Sequence, residues 1–180
     1  LLAAFAGLGA ALAIPALSLG PAPGQEQFQT AWRRGLRLVR LDGTPVRADD
    51  LSVDSLLTVF PEGATGSADS QTLLIRVPAE LLRLDPERAA WAPNGYVAYS
   101  KLCTHAGCPV GLFRATERRL ICPCHQSTFD VLTGATPVFG PAGRPLPQLP
   151  IRLQPDGTFI ADGDFPEAVG PSFWNLGSSS

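Results

Sequence analysis

The stretch that decides the fold is "CTHAGC", Cys103 to Cys108, together with "CPCHQS", Cys122 to Ser127. All four cysteines and both histidines of the 180-residue chain lie within these two segments. Thiolates and imidazoles bind transition metals, and cysteines also form disulfides or act as nucleophiles. A set so concentrated predicts a single site built from all six side chains.

The spacing of these residues leaves several kinds of site open. A structural zinc site leaves two cysteines over, a histidine-activated cysteine nucleophile leaves most of the set without a role, and plain disulfides leave both histidines without one. An iron–sulfur site with two mixed ligand pairs and one disulfide uses every residue. The pairs are Cys103 with His105 and Cys122 with His125, and the spare cysteines are Cys108 and Cys124.

The two segments resemble the Rieske iron–sulfur signature, in the form found in cytochrome bc (quinol–cytochrome c reductase) complexes. The resemblance implies one 2Fe–2S cluster in which two cysteines hold the inner iron and two histidines hold the exposed outer iron. Neutral imidazoles in place of charged thiolates raise the reduction potential of such a cluster. The implied metal ligands are Cys103, His105, Cys122 and His125.

Neighbouring residues match the same family pattern. Cys108 and Cys124 match a disulfide that ties the two cluster loops in bc-type proteins and that typical Rieske ferredoxins and ring-hydroxylating dioxygenases lack. Ser127 matches a serine whose hydroxyl donates a hydrogen bond to a cluster sulfide, which raises the potential. Phe129 stands where mitochondrial-type proteins carry a tyrosine, and Gln126 replaces their glycine. We therefore expect a lower potential than in a tyrosine-bearing homologue, suited to menaquinol.

The stretch "PVFGPAGRPLPQLP", Pro137 to Pro150, resembles the proline-rich loop that covers the cluster from a third side in this family. Its five prolines in fourteen residues predict a stiff wall. The implied cofactor contacts are Gly140 and Pro141 in this loop and Gly107 in the first segment. Together with "VGPSFW", Val169 to Trp174, the sequence is similar to the Rieske subunit of actinobacterial menaquinol-oxidising cytochrome bcc complexes.

The N-terminal part of the chain differs in character from the rest. Residues 1–20 carry no charge and, as a helix, are long enough to span a bilayer, so they predict a transmembrane helix rather than a signal-peptide remnant or a core helix. The resemblance and the missing initial methionine imply that this helix is the last of several. Residues 21–32 predict an extended neck, and residues 33–180 predict the Rieske domain, with its cluster-binding part at about 96–150.

The remaining sequence predicts an all-β domain of small antiparallel sheets. Its 18 glycines and 18 prolines favour loops and short strands over long helices. The one helix candidate lies within Pro78–Ala90, the "PDGT" stretch at 155–158 predicts a tight turn, and the middle insertion Asp49–Asn94 contains no assignable motif. The predicted strands are Leu36–Leu41, Leu56–Phe60, Thr72–Val77, Tyr96–Ser100, Arg119–Ile121, Thr128–Leu132, Ile151–Leu153 and Thr158–Ile160.

The resemblance implies an electron-transfer subunit that is not catalytic alone. It would take one electron and one proton from quinol, with His125 ahead of His105 as the contact, and pass the electron to a c-type haem. The implied partners are a cytochrome b subunit and a c-type cytochrome subunit in a dimeric membrane complex. A net charge of −2 argues against nucleic acid as a partner.

The side of the membrane is predicted from conflicting signals. A disulfide persists in oxidising surroundings, which places the domain outside the cytoplasm. Four arginines at positions 33, 34, 37 and 40 follow the apolar segment and favour the opposite side. The prediction is a cell-membrane protein with its globular domain on the outer face. Alternatives from other classes are a Rieske subunit of an enzyme such as arsenite oxidase, or a zinc-binding domain with no redox role.

Overall fold

The computed structural model describes residues 29–171, which form three antiparallel sheets. The predicted membrane helix and most of the predicted neck lie outside these residues. Within them, no helix is long and apolar enough to cross a bilayer. The first sheet contains β1 (Leu38–Val39), β2 (Ser55–Pro61), β3 (Thr72–Arg76) and β4 (Tyr96–Ser100); the second contains β5 (Leu112–Arg114), β6 (Arg119–Ile121), β7 (Thr128–Asp130) and β8 (Thr136–Phe139); the third contains β9 (Ile151–Leu153) and β10 (Phe159–Ala161).

The central strands β3 and β4 are buried on both faces and separate two hydrophobic cores. Successive side chains of a strand point to opposite faces, so an unbroken apolar run can serve two cores at once. Leu74 packs into the core beneath β9 and β10, whereas Leu73 and Ile75 pack into the core beneath the second sheet. The second core also contains Cys103 and Cys122. The all-β prediction is confirmed, and the cysteine segments lie at the edge of this second core.

Residues 49–94 are not an insertion into the fold. They supply β2 and β3, and β3 pairs on one side with β2 and on the other with β4. The segment therefore forms the centre of the first sheet and one wall of each core, although it carries no recognisable motif.

The helix candidate within Pro78–Ala90 has only short helical turns. Ala79–Leu81 forms one 3₁₀ turn, and a five-residue α-helix, α1, follows at Pro86–Ala90. Asp85 caps α1 by accepting a hydrogen bond from the Arg88 N–H at 2.9 Å. Pro86 disfavours the helical conformation of the residue before it, so a helix that begins at Pro78 cannot continue through Asp85. Asp85 instead caps the start of α1.

The domain begins earlier than the sequence predicts, because part of the predicted neck packs against it. The buried Trp32 donates its indole N–H to the Ser70 carbonyl at 2.8 Å and to the Thr72 hydroxyl at 3.0 Å. The N–H and hydroxyl of Thr30 both donate to the Asp164 carboxylate, at 2.8 and 2.6 Å. Apolar periodicity alone could not show this, since the partners lie far away along the chain.

Two strands of the second sheet, β5 and β8, are absent from the predicted set. They are its outer strands, and their side chains are largely exposed, so neither shows the alternation of a half-buried strand. The predicted "PDGT" turn is confirmed: Gly157, at φ 83°, closes the connection between β9 and β10.

The second sheet brings three loops together at one end. In its register, Leu112, Ile121, Thr128 and Phe139 form a single row across the four strands. The β4–β5 loop ends at this row, the β6–β7 loop both begins and ends at it, and the segment after β8 begins at it. We call these loop 1 (residues 101–111), loop 2 (122–127) and the proline loop (140–150). Antiparallel pairing therefore places the three loops side by side.

Candidate metal centre

Loops 1 and 2 share one backbone hydrogen-bond pattern. In loop 1, the Cys103 N–H donates to the Cys108 carbonyl at 2.9 Å, and the Cys103 carbonyl accepts from the Gly107 N–H at 2.9 Å. Each loop thus closes a ring of backbone around its first cysteine. In loop 2 the equivalent residues are Cys122, Ser127 and Gln126, with distances of 2.9 and 3.0 Å.

The fifth residue of each ring has a left-handed backbone conformation. Gly107 has φ 75° and Gln126 has φ 60°. Glycine adopts this region freely, whereas a residue with a side chain pays about 1 kcal/mol or more. The geometry explains why a glycine suits position 126 and shows that the glutamine keeps the same loop shape.

The four cysteines separate into two kinds. Cys108 and Cys124 form a disulfide with their Cα atoms 6.5 Å apart, which joins loop 1 to loop 2 as the sequence predicts. Cys103 and Cys122 are free and buried. Two thiols therefore point into an apolar core, and neither is used by a disulfide.

Burial and backbone donors act on the Cys103 thiol in opposite directions. Burial raises the pKa of this thiol, and the backbone N–H groups of His105 and Ala106, which donate to its sulfur, lower it in part. Such donors favour the thiolate, which is the form that binds metal.

The two histidines meet at the surface of the domain. The ring centroids of His105 and His125 lie 4.7 Å apart, and the rings are nearly perpendicular. His125 is exposed and His105 is half-buried. Residues that are separate in sequence thus form a buried sulfur pair and a surface imidazole pair.

The proline loop closes the third side of the site. The buried Ser127 hydroxyl accepts a hydrogen bond from the Ala142 N–H at 3.2 Å, which leaves its own proton available to a further acceptor. Gly140, at φ 86°, passes so close that a Cβ there would lie 2.6 Å from the Ser127 Cα. The Thr104 hydroxyl donates to the Arg144 carbonyl at 2.7 Å and so links the proline loop to loop 1.

The remaining predicted contacts fall at different depths. Phe129 is fully buried in the same core as Cys103 and Cys122, and its side chain has no hydrogen-bond donor. Pro141 is exposed on the outer side of the proline loop. Phe129 therefore adjoins the sulfur end of the site, while Pro141 faces solvent.

The donor set fits a two-iron centre better than a single zinc ion. Within residues 29–171, the one compact group of possible ligand atoms is Cys108, Cys122 and Cys124, within 4.8 Å of one another. Two of these sulfurs are bonded to each other, so the group is not a metal site. No tetrahedral set of four appears there, as structural zinc requires. Separate thiol and imidazole pairs instead suit the two ends of a binuclear cluster.

Comparison with known proteins identifies the family. Residues 68–150 match the family model described as the Rieske [2Fe-2S] domain. Over 167 residues the chain is 42% identical to the cytochrome bc1 complex Rieske iron-sulfur subunit of Streptomyces lividans, covering 88% of this chain and 98% of the relative. The chain belongs to the Rieske iron–sulfur subunits of cytochrome bc1 complexes.

Other relatives of this Rieske subunit bear the same name. The Streptomyces coelicolor protein is 42% identical over 167 residues and the Mycobacterium tuberculosis protein 38% identical over 156 residues, covering 88% and 74% of this chain. The chain spans less than half of their lengths, 47% and 36% respectively. The fold is similar to the soluble domain of Rieske protein II from Sulfolobus acidocaldarius, with a TM-score of 0.52, 19% identity, and coverage of 78% of this chain and 88% of that one.

The family confirms the resemblance, the electron-transfer role and one Rieske-type 2Fe–2S cluster as the cofactor. It does not support the zinc-domain alternative.

Sequence reasoning missed Thr104 and Arg144, which hold the Rieske subunit's loops together. The Arg144 guanidinium also donates to the carbonyls of Ala168 and Gly170. No local sequence pattern predicts these contacts, since the partners are at least 24 residues apart in the chain.

Proposed function

We propose that the Rieske subunit takes one electron and one proton from a quinol at the His105–His125 surface and delivers the electron to a c-type haem. The observation that carries this proposal is the exposed His125 ring set edge to face against His105, in the same two loops that carry two buried free thiols. An imidazole pair at the surface gives a substrate access from outside, while the apolar core keeps water away from the sulfur end.

The proposal assigns the four ligands by burial. Cys103 and Cys122 would hold the inner iron, because their thiols are buried and free. His105 and His125 would hold the outer iron at the surface. When bound, the cluster supplies a one-electron redox centre whose potential lies between about −150 and +300 mV.

His125 does the proton chemistry in this scheme. The ring nitrogen of His125 that is not a ligand accepts a hydrogen bond from the quinol hydroxyl and then takes its proton. One electron of the quinol would pass to the cluster held by these residues, and the second would pass to a haem of a cytochrome b subunit. The buried Ser127 hydroxyl favours the reduced state, while Phe129 offers no hydrogen bond and keeps the potential in the range suited to menaquinol.

The proposed partners are the cytochrome b subunit and the c-type cytochrome subunit of a dimeric complex in the cell membrane. The names of the relatives support the complex, and the Cys108–Cys124 disulfide supports a domain on the outer side, where surroundings are oxidising. Residues 1–20 would anchor the subunit as the last of its membrane helices. The chain before Thr30 would let the domain move between the quinol and haem partners.

Spectroscopy on the full chain tests the ligand set. Reduced protein should give the rhombic EPR signal of a Rieske cluster, and His105→Ala and His125→Ala should each abolish it. Gln126→Ala is the matched control, because Gln126 is exposed beside His125 and should leave the signal in place. A signal that survives both histidine substitutions would contradict the assignment. Co-purification with haem b and haem c subunits tests the partners.

A further inference from the structure

A segment without regular secondary structure follows β10 and reaches the proline loop. It consists of residues 164–170, and we call it the strap. Phe165 and Val169 fix it in place, because both side chains are buried in the core beneath β9 and β10. Its first residue, Asp164, accepts the two hydrogen bonds of Thr30. The body of the domain therefore holds the strap from the side away from the metal centre.

Helix α1 adds a third attachment to the strap. The Glu167 carboxylate pairs with the largely buried Arg88 guanidinium at 2.8 Å. The carbonyl of the same arginine accepts a hydrogen bond from the Gln148 side chain, near the end of the proline loop, at 3.0 Å. The motif-free segment that contains α1 thus braces the strap and the proline loop against each other.

Arg144 connects the strap to the proline loop directly. Its guanidinium donates to the Ala168 carbonyl at 2.7 Å and to the Gly170 carbonyl. These two carbonyls flank the buried Val169, so the contact is made where the strap is anchored in the first core. Arginine presents its donors in a rigid plane, which suits a fixed connection better than the flexible ammonium of lysine. One side chain therefore links the proline loop to the opposite core.

The backbone around Arg144 contacts both ligand loops. The Arg144 carbonyl accepts from the hydroxyl of Thr104, which lies between the two candidate ligands of loop 1. Two residues earlier, the Ala142 N–H donates to the Ser127 hydroxyl of loop 2. A displacement of this backbone would change both contacts. Partners beyond the metal ligands orient them, and hydrogen bonds to the sulfurs set the potential of an iron–sulfur centre.

We propose that Arg144 is a positioning residue, which fixes the proline loop against the strap and thereby tunes the reduction potential of the metal centre. Without its guanidinium, the proline loop moves outward and the Ala142 N–H leaves the Ser127 hydroxyl. A hydroxyl that no longer accepts a hydrogen bond is a weaker donor, so the reduced state is less favoured. The inference rests on the proposed function and names the residue that holds the third side of the site in place.

Redox titration of the full chain, followed by the EPR signal, tests the proposal. Arg144→Gln should weaken the preference for the reduced state about threefold, which is about 28 mV for a one-electron centre. Val169→Ala should shift the potential in the same direction, because it loosens the strap from the other core. Once Arg144 has been replaced, Val169→Ala should add nothing, because its effect passes through Arg144.

Two matched variants control for a general loss of stability. Val46→Ala removes an equally buried valine from the same core, outside the strap. Arg118→Gln removes a half-buried arginine that donates twice to the Asp54 carboxylate, at 2.8 Å each. Arg118 lies in the β5–β6 turn, at the end of the second sheet opposite the three loops. Both variants should lower the melting temperature and leave the potential and the EPR line shape unchanged.

Hydrogen exchange gives a second measurement, which uses neither activity nor the cluster signal. The N–H groups of Ala142 and Leu146 in the proline loop donate to Ser127 and Ala135. Arg144→Gln should speed their exchange about tenfold, because the loop opens more often, whereas Arg118→Gln should not. Mass spectrometry of peptides from the exchanged full chain measures the difference.

Several outcomes would overturn the proposal. An unchanged potential in Arg144→Gln would show that the loop does not tune the centre, and unchanged exchange would show that Arg144 does not hold the loop. An equal shift in Val46→Ala, or additive shifts in the double variant, would mean that Arg144 is not the link. If Arg144→Gln loses the cluster, Val169→Ala decides, and an unchanged potential there refutes the coupling. A failed proposed function is distinguishable, because quinol would then not reduce the unaltered protein, and neither measurement uses quinol.

Discussion

Removal of the disulfide between loops 1 and 2 should destabilise the chain by about 3 kcal/mol. Cys108 and Cys124 are separated by 16 residues in sequence. Closing a loop of that size removes about 10 cal/mol/K of entropy from the unfolded chain, or about 3 kcal/mol at 25 °C. For a domain of this size the corresponding fall in melting temperature is about 6–12 °C. The replacement is the double variant Cys108→Ser with Cys124→Ser.

The measurement is guanidinium unfolding followed by circular dichroism, with cluster content matched between samples. Reductant supplies the control: it should lower the stability of the unaltered chain and leave the double serine variant unchanged. A single Cys108→Ser substitution leaves Cys124 free and should match the double variant once reductant is present.

A loss below about 1 kcal/mol would refute the reasoning. It would mean that the two backbone rings, around Cys103 and Cys122, already restrict the loops as much as the disulfide does. A loss well above about 5 kcal/mol would exceed what chain entropy supplies and would point to a coupled loss of the metal centre.

Three further substitutions test the surroundings of the site. Phe129→Tyr should raise the reduction potential by up to about 60 mV, the equivalent of a tenfold preference for the reduced state, and a redox titration with no rise would contradict it. Gly140→Ala should cost about 1–3 kcal/mol and lower cluster retention, because its Cβ would meet the loop 2 backbone at 2.6 Å, whereas Gly143→Ala, with open space around it, should be silent in the same assay. Asp156→Asn should destabilise the chain at neutral pH, because the Thr158 N–H and hydroxyl lower the pKa of Asp156. The lowered pKa means that the stabilisation exists above pH about 4 and disappears as pH falls further, so acid titrations of the two proteins should converge.

The metal centre was more predictable from sequence than the scaffold around it. Its cysteines and histidines lie within two short segments, and the resemblance of these segments to the Rieske signature implied the ligand set and the disulfide, which the spacing alone left open. Trp32 illustrates the opposite case, since its burial depends on Ser70 and Thr72, nearly 40 residues away. The sequence did not predict strand β8, because it lacks the alternation of apolar and polar residues that a half-buried strand shows. Its apolar residues Val138 and Phe139 are exposed to solvent.

The anchoring of Thr30 and Trp32 marks where the folded domain starts. Both residues are hydrogen-bonded to the body of the domain, so neither can serve as the pivot of a domain movement. In the proposed membrane-anchored subunit, residues 21–29 would be the tether, and a fully extended chain of nine residues reaches at most about 30 Å. The two hydrogen bonds of Thr30 would then limit how far this end of the domain can stand from the membrane.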